Sequence, residues 1–176
     1  MRFVSTRIDG VVEVRLDPHR DERGFFARAW CADEFEAAGL DVEWVQMNIG
    51  RSDYAGTLRG MHYQRDPCGE WKLVRCVRGS LFDVAVDLRE RSDTRHDWVG
   101  AELTAEAGNM LLIPPGCAHG YLTLSDHTDL VYQTSHRYEP GAATGVRYDD
   151  PAFGIEWPAE IVRISDQDRS WPAVRI

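Results

Sequence analysis

The stretch that decides the fold is LVRCVRGSLFDVAVDL, which spans residues 73–88. In its second half every other residue from Phe82 to Leu88 is apolar, while Asp83 and Asp87 lie between them. Successive side chains of a β-strand point to opposite faces of the sheet, so this period of two predicts a strand. One face of that strand is apolar and the other is partly polar.

A second strand, over residues 73–77, precedes it, and Arg78-Gly79-Ser80 predicts a hairpin turn between the two. Similar segments, on the N-terminal and C-terminal sides of this stretch, predict strands over residues 11–16, 98–103, 110–113, 118–124 and 130–134. Short helices are predicted over residues 32–38 and from Ser165 onward. Many short strands separated by turn signals predict an all-β sandwich or barrel with a few short peripheral helices.

Length and composition favour a single soluble domain over residues 1–176, with 43% hydrophobic and 28% charged residues. The net charge of −9 argues against a nucleic-acid partner, because proteins that bind nucleic acid carry a basic face. No run approaches the roughly 18 apolar residues of a membrane span, and the N-terminal residues do not resemble a signal peptide. Four cysteines without a CxxC pair indicate reduced thiols, so we expect a cytoplasmic protein.

A histidine and a lysine stand out for their chemistry. His62 lies in RGMHYQ, residues 59–64, and Lys72 follows on the next extended segment. Abstraction of a proton beside a carbonyl group needs a base for the proton and a fixed cation for the negative charge that forms on oxygen. Without further context, however, a lone strand histidine is more often structural, and a lysine is more often a solvated edge residue.

The segment GNMLLIPPGCAH, residues 108–119, resembles the second motif of the cupin jelly rolls, G-x5-P-x-G-x2-H. In metal-binding cupins the first motif supplies His-x-His and a Glu seven residues before a Gly. Here Gln64 stands two residues after His62, and Lys72 stands seven residues before Gly79. Carboxylate and imidazole suit divalent metals, whereas an ammonium group repels them. The resemblance therefore implies a cupin without a metal.

Nearly the whole chain is similar to the nucleotide-sugar 3,5-epimerase family, which is typified by the dTDP-4-dehydrorhamnose 3,5-epimerases. The similarity is carried by DERGFF (21–26), QMN (46–48), LRGMHYQ (58–64), KLVRC (72–76), FDVAVD (82–87), AHG (118–120), DDPAFGIEWP (149–158) and SDQD (165–168). It implies a jelly-roll homodimer that needs no cofactor. Such an enzyme inverts C3, C5 or both in a dTDP-linked, or other nucleotide-linked, 4-keto-6-deoxyhexose through an enolate during deoxysugar biosynthesis.

The resemblance also implies a role for each site residue. His62 is expected to be the general base, Asp168 to orient it, Lys72 to stabilise the enolate oxygen and Tyr132 to return a proton to the opposite face. The residues expected to bind the substrate are Arg23, Gln46, Asn48, Arg59, Lys72 and His119. No metal ligand is expected. Tyrosine suits the role of acid because its reference pKa of about 10 keeps it protonated at neutral pH.

Some of these residues have structural alternatives. Asp168 ends Ser165-Asp166-Gln167-Asp168, which is close to a helix capping box, and Tyr132 is in a segment where tyrosine ordinarily packs in the core or at its rim. Arg28, Ala143 and Gln167 depart from residues common in the family near the nucleotide, which leaves the identity of the nucleotide open. Trp71 either shapes the wall of the pocket or packs in the core.

Three other functions remain open from the sequence. The first is a metal-dependent cupin isomerase or oxygenase, which would need ligands beyond His62 and His119. The second is an epimerase that acts at C3 alone on a related keto sugar nucleotide, because such enzymes share these motifs. The third is a sugar-nucleotide sensor without catalysis. The presence of His62, Lys72 and Tyr132 together argues against it, because binding alone does not require a base.

Overall fold

Two antiparallel sheets that pack face to face form most of the protein in a computed structural model, which describes residues 1–174. The strands are Arg2–Ser5 (β1), Val12–Arg15 (β2), His19–Asp21 (β3), Gly24–Phe26 (β4), Gln46–Ser52 (β5), Thr57–Gln64 (β6), Lys72–Arg78 (β7), Ser80–Asp87 (β8), Trp98–Thr104 (β9), Met110–Ile113 (β10), Cys117–Thr123 (β11), Thr128–Thr134 (β12), Ala143–Gly145 (β13) and Arg163–Ile164 (β14). The helices are Ala32–Ala37 (α1) and Asp166–Arg169 (α2). The predicted all-β sandwich with short peripheral helices is confirmed.

The first sheet has the strand order β1-β2-β10-β7-β12-β5, and the second has the order β13-β6-β11-β8-β9. Strand β14 pairs with β6 in parallel, and β3 pairs only with β4 in a separate small hairpin. Strand β5 is at one edge of the first sheet, and β6 is next to the edge strand β13 of the second. Both strands line the polar pocket described below. No helix within residues 1–174 has the length and apolar character that a membrane span requires.

The core between the sheets receives apolar side chains from both of them. The first sheet contributes Val74 and Leu111, and the second contributes Leu81 and Leu103, all of which are at most 1% exposed. A second apolar cluster lies on the outer side of the first sheet, where α1 inserts Phe35. A third covers the outer side of the second sheet beneath residues 146–157. Burial on both faces stabilises the central strands, which therefore carry few polar side chains.

The predicted hairpin at Arg78-Gly79-Ser80 is wrong. Strand β7 pairs with β10 and β12 in the first sheet, whereas β8 pairs with β11 and β9 in the second. The chain crosses between the sheets at Gly79, whose φ of +75° is readily adopted by glycine. Alternation identifies a strand but not its partner, because the partner is chosen by distant residues.

The partly polar face of β8 points into the protein. Asp83 and Asp87 are both 0% exposed, and Asp83 contacts the ring of His119. Asp87 accepts bonds from the side chains of Arg89, Ser92 and Thr94, which fold the following loop around it. Burial acts to raise the pKa of Asp87, but these hydrogen bonds outweigh it and hold that pKa well below its ordinary value.

Candidate active site

A cavity of about 630 Å³ opens between the two sheets, within the size range of small-molecule sites. It is lined mainly by β5, β6, β7, β11 and β12, so both sheets contribute to its wall. The structure brings most of the predicted site residues together here. Those that line the cavity are Gln46, Asn48, Arg59, His62, Lys72, His119 and Tyr132.

His62 and Asp168 form a close pair at the edge of this cavity. The His62 Nε2 atom lies 2.6 Å from Asp168 Oδ1, although 106 residues separate them in the chain. The side chain of His62 is 43% exposed, whereas that of Asp168 is 6% exposed. When Nε2 carries the proton and donates it to Asp168, Nδ1 keeps a lone pair and can act as a base.

Asp168 is fixed by further hydrogen bonds in α2. Its backbone N–H donates to Ser165 Oγ over 3.0 Å, so the helix is capped by the serine while the aspartate carboxylate stays available to His62. The carboxylate also accepts from the Gly60 N–H at 3.2 Å and from the Trp171 indole at 3.3 Å. Burial acts to raise the pKa of Asp168, but the hydrogen bond and charge of His62, with these other donors, lower it overall.

Lys72 reaches the cavity from β7 with its ammonium group in an ion pair. Its Nζ lies 3.2 Å from Glu70 Oε1 and 3.4 Å from the carbonyl oxygen of His62. The side chains of Lys72 and Glu70 are each 10% exposed. The ammonium is therefore held beside the backbone of the histidine, where a positive charge can stabilise an oxyanion that forms next to that base.

Tyr132 enters the cavity from β12, in the sheet opposite His62. Its cross-strand partners are Asn48 on β5 and Val74 on β7. Burial and the negative charge of Glu70 raise the pKa of Tyr132, with the positive charge of Arg59 opposing them. The phenol therefore keeps its proton throughout the neutral range, as an acid must.

His119 and Asp83 form a second histidine–aspartate pair beside the first. His119 Nε2 lies 2.7 Å from Asp83 Oδ1, and His119 is directly opposite His62 on the paired strands β11 and β6. The other oxygen of Asp83 has no partner among the described residues. Close approach of the two strands depends on Gly60, where an added Cβ would lie 2.5 Å from the Cα of Gly120.

Other polar residues of the cavity are also held in place. Gln46 donates to Asn48 Oδ1 over 3.1 Å and accepts from the Tyr138 N–H over 3.2 Å. Arg59 donates to the carbonyl of Arg51 over 2.9 Å, which fixes the guanidinium at the cavity wall. The amide groups from the first sheet and the guanidinium from the second can bind the oxygens of a polar, anionic ligand.

Two predicted site residues do not line the cavity, since Asp168 reaches it only through His62 and Arg23 is remote from it. Arg23 lies in the turn of the β3–β4 hairpin, with its side chain 84% exposed and its Nε 3.1 Å from Asp21 Oδ1. The four residues that are unusual for the family lie in different parts of the structure. Ala143 and Gln167 line the cavity, Arg28 pairs with Glu34, and Trp71 packs against an outer apolar cluster of the first sheet.

Several residues of the cavity were not predicted from the sequence. Glu70, Tyr121 and Trp171 line it, and Asp83 supports it through His119. A signal existed for Glu70, which lies two residues before Lys72 and so on the same side of an extended segment. No comparable signal existed for Trp171, whose approach to His62 depends on the fold of residues 163–171. Within residues 1–174 no three His, Cys, Asp or Glu side chains converge as a metal site.

Comparison with known proteins places this arrangement in a family. The family model described as dTDP-4-dehydrorhamnose 3,5-epimerase matches residues 5–175. An enzyme of that name from Methanothermobacter thermautotrophicus is 43% identical over 178 residues, which cover 99% of this chain and 95% of the relative.

Solved structures agree with this assignment. The dTDP-4-dehydrorhamnose 3,5-epimerase of Bacillus anthracis, with TDP and PPi bound, is 34% identical with a TM-score of 0.95, covering 98% of this chain and 99% of that one. The dTDP-6-deoxy-D-glucose-3,5-epimerase of Legionella pneumophila, in complex with dTDP-4-keto-L-rhamnose, is 37% identical with a TM-score of 0.92, covering 98% and 92%. These similarities confirm the predicted cupin-like all-β fold.

Proposed function

The chain belongs to the dTDP-4-dehydrorhamnose 3,5-epimerase family, and we propose that it inverts the carbons beside the keto group of a dTDP-4-keto-6-deoxyhexose. As a member of this family it is an isomerase of the carbohydrate-epimerase class. The observation that carries the proposal for its site is the convergence of His62 and Asp168 from one side of the cavity with Lys72 and Tyr132 from the other.

The proposed reaction begins with proton abstraction. His62, oriented by Asp168, takes the proton from a carbon next to the 4-keto group. The electrons move onto the keto oxygen, and the ammonium of Lys72 stabilises the enolate. Tyr132 then donates its phenolic proton to the opposite face of the same carbon, which inverts it. A positioned base contributes about 10² to 10⁴ in rate, and a fixed donor at the oxyanion contributes about 10² to 10³.

The remaining polar residues of the cavity are proposed to bind the substrate. We assign Gln46, Asn48, Arg59 and His119 to binding of the sugar and diphosphate. Support comes from their positions around the cavity and from the TDP and dTDP-keto-sugar ligands of similar enzymes. Because the 4-keto group acidifies both of its neighbouring carbons, one set of groups can serve C3 and C5.

We further propose that the protein is a homodimer. Phe26 on the β3–β4 hairpin and Met47 and Ile49 on the edge strand β5 are 76%, 62% and 73% exposed. Exposed apolar residues along an unpaired strand edge favour association with another chain. Arg23 lies on the same hairpin, so a second copy could bring it to the cavity of the first. Light scattering of the purified protein tests the dimer, and a monomeric mass contradicts it.

A cytoplasmic location is proposed for a separate reason. The four cysteines, which all lie in the described part of the chain, are free thiols. Thiols persist unpaired in reducing compartments. Export of the native protein in fractionated cells would contradict this location.

Incubation with dTDP-4-keto-6-deoxyglucose in heavy water, followed by position-resolved NMR, tests the reaction. We expect deuterium at C3, C5 or both, together with inversion at the labelled carbons. Deuterium at C3 alone identifies a C3 epimerase. Absence of exchange with any keto sugar nucleotide contradicts the proposal. Metal analysis of the active protein tests the alternative of a metal-dependent cupin, which requires stoichiometric metal.

A further inference from the structure

Glu70 is the feature of the cavity that the proposed reaction leaves unexplained. Among residues 1–174, it is the only lining residue with a carboxylate, and its charged neighbours in the wall are Arg59 and Lys72. A negative charge at the wall of a pocket for an anionic substrate opposes binding of that substrate. Its presence therefore calls for a compensating role.

Both oxygens of Glu70 are engaged. Oε1 lies 3.2 Å from Lys72 Nζ, and Oε2 accepts from Gln64 Nε2 over 3.1 Å. Gln64 is itself fixed, because its Oε1 accepts from the Glu139 N–H at 2.6 Å and its amide protons are shared with the carbonyls of Cys68 and Arg137 at 3.2 and 3.1 Å. The carboxylate is therefore anchored on one side by a rigid amide and holds the flexible lysine on the other.

We propose that Glu70 is a positioning residue for the epimerisation, which fixes the Lys72 ammonium at the site of the enolate oxygen and keeps a negative charge in the cavity that Tyr132 lines. The inference rests on the proposed function. A lysine side chain has four rotatable bonds, and a cation that is already aligned costs no reorganisation when the oxyanion forms. The ion pair also keeps the ammonium turned away from other anionic groups, such as a diphosphate.

The second half of the role concerns the phenol. Tyr132 shares the lining of the cavity with Arg59 and His62 from β6, with Glu70 and Lys72, and with His119 and Tyr121 from β11. Burial and the negative charge of Glu70 raise the pKa of Tyr132, against the positive charge of Arg59. The cross-strand neighbours of Tyr132, Asn48 and Val74, carry no charge. Glu70 is thus the carboxylate that acts on the phenol, and its charge disfavours loss of the phenolic proton.

Glu70→Gln tests both halves, because it keeps the size of the side chain but removes its charge and one acceptor. We expect kcat to fall about 10-fold while KM stays within about twofold, since the lysine is misaligned in the transition state. We also expect the alkaline limb of the kcat profile to move to lower pH. Glu70→Asp should restore part of the rate and show a smaller shift in the same direction. Asp149→Asn, which removes an exposed ion pair with Arg147, is the control and should match the wild type.

A double variant isolates the action through Lys72. In a Lys72→Gln background, Glu70→Gln should cause no further loss of rate, because the ammonium that it positions is gone. Unchanged kcat and an unshifted alkaline limb in Glu70→Gln, or an equal loss of rate in both backgrounds, overturns the inference. If Glu70→Gln does not fold, the same readouts on Glu70→Asp decide. Lack of exchange by the wild type would instead refute the proposed function.

Discussion

His62 and His119 face each other as cross-strand partners on β6 and β11, and each ring contacts its own buried aspartate. The two carboxylates come from different parts of the fold, Asp168 from α2 and Asp83 from β8. Only His62 combines its carboxylate with substantial exposure, at 43% against 9% for the side chain of His119. The pair nearer the opening is therefore suited to proton transfer, and the deeper pair to binding.

The orienting role of Asp168 predicts a loss of rate when its charge is removed. Asp168→Asn should lower kcat by about 10²-fold or more, because the amide no longer favours the histidine tautomer that leaves Nδ1 as the base. Exchange of substrate protons in heavy water measures the loss. Asp166→Asn, an exposed change in the same short helix, is the matched control. Equal activity in the two variants would contradict the assignment.

Acid should weaken the protein through the same residue. The pKa of Asp168 is lowered in the folded state, so its ionised form stabilises the fold above the ordinary carboxyl pKa of about 3.9, and that contribution is lost as pH falls through the lowered value. Trp171→Phe removes one donor to the carboxylate, so the pKa of Asp168 should be lowered less, and the acid loss should be smaller and complete at a higher pH. Urea unfolding between about pH 2 and pH 7, in steps of about 0.5, measures it. Identical pH profiles for the two proteins would refute this coupling.

Removing the phenol should separate exchange from inversion. In Tyr132→Phe, His62 can still take a proton and return deuterium to the same face, so labelled but uninverted substrate should accumulate. Position-resolved NMR distinguishes this material from the epimer. Tyr138→Phe, which changes a more exposed phenol of the cavity wall, provides a comparison. Inversion at the wild-type rate in Tyr132→Phe would exclude this phenol as the acid.

Asp87 offers a test of the fold alone. Its buried carboxylate organises the loop after β8, so Asp87→Ala should lower the free energy of unfolding by about 3 kcal/mol, as expected when a buried ion pair loses one partner. Denaturant unfolding measures the change. Asp93→Asn, an exposed residue of the same loop, should leave the stability unchanged. A similar loss in both variants would contradict the specific role of Asp87.

The sequence predicted strands β2 and β7 to β12, and the predicted strand over residues 110–113 has the observed bounds. Strands β1, β3, β4, β5, β13 and β14 were not predicted. The crossover between the two sheets at Gly79 could not be predicted, because pairing between strands depends on residues that are distant in the chain. The burial of Asp83 and Asp87 on the partly polar face of β8 could not be predicted either, since period two cannot tell which face meets the core.

At the site, His62 and Lys72 could be found from their motifs, because short segments carry those signals, whereas the role of Tyr132 was implied only by the resemblance. The contact between His62 and Asp168 was implied by resemblance alone, since it closes a separation of 106 residues. Glu70 was missed despite its proximity to Lys72, because a carboxylate two residues away is common on any exposed strand. Its burial beside Lys72, which indicates a specific role for the carboxylate, becomes visible only in the folded structure.

The most direct test of the central claim compares the wild type with His62→Ala in deuterated buffer. If this imidazole is the base, the variant should still bind dTDP with nearly wild-type affinity yet incorporate no deuterium beside the ketone, while the wild type labels its substrate. Undiminished labelling by His62→Ala, with nucleotide binding intact, would show that another group removes the proton.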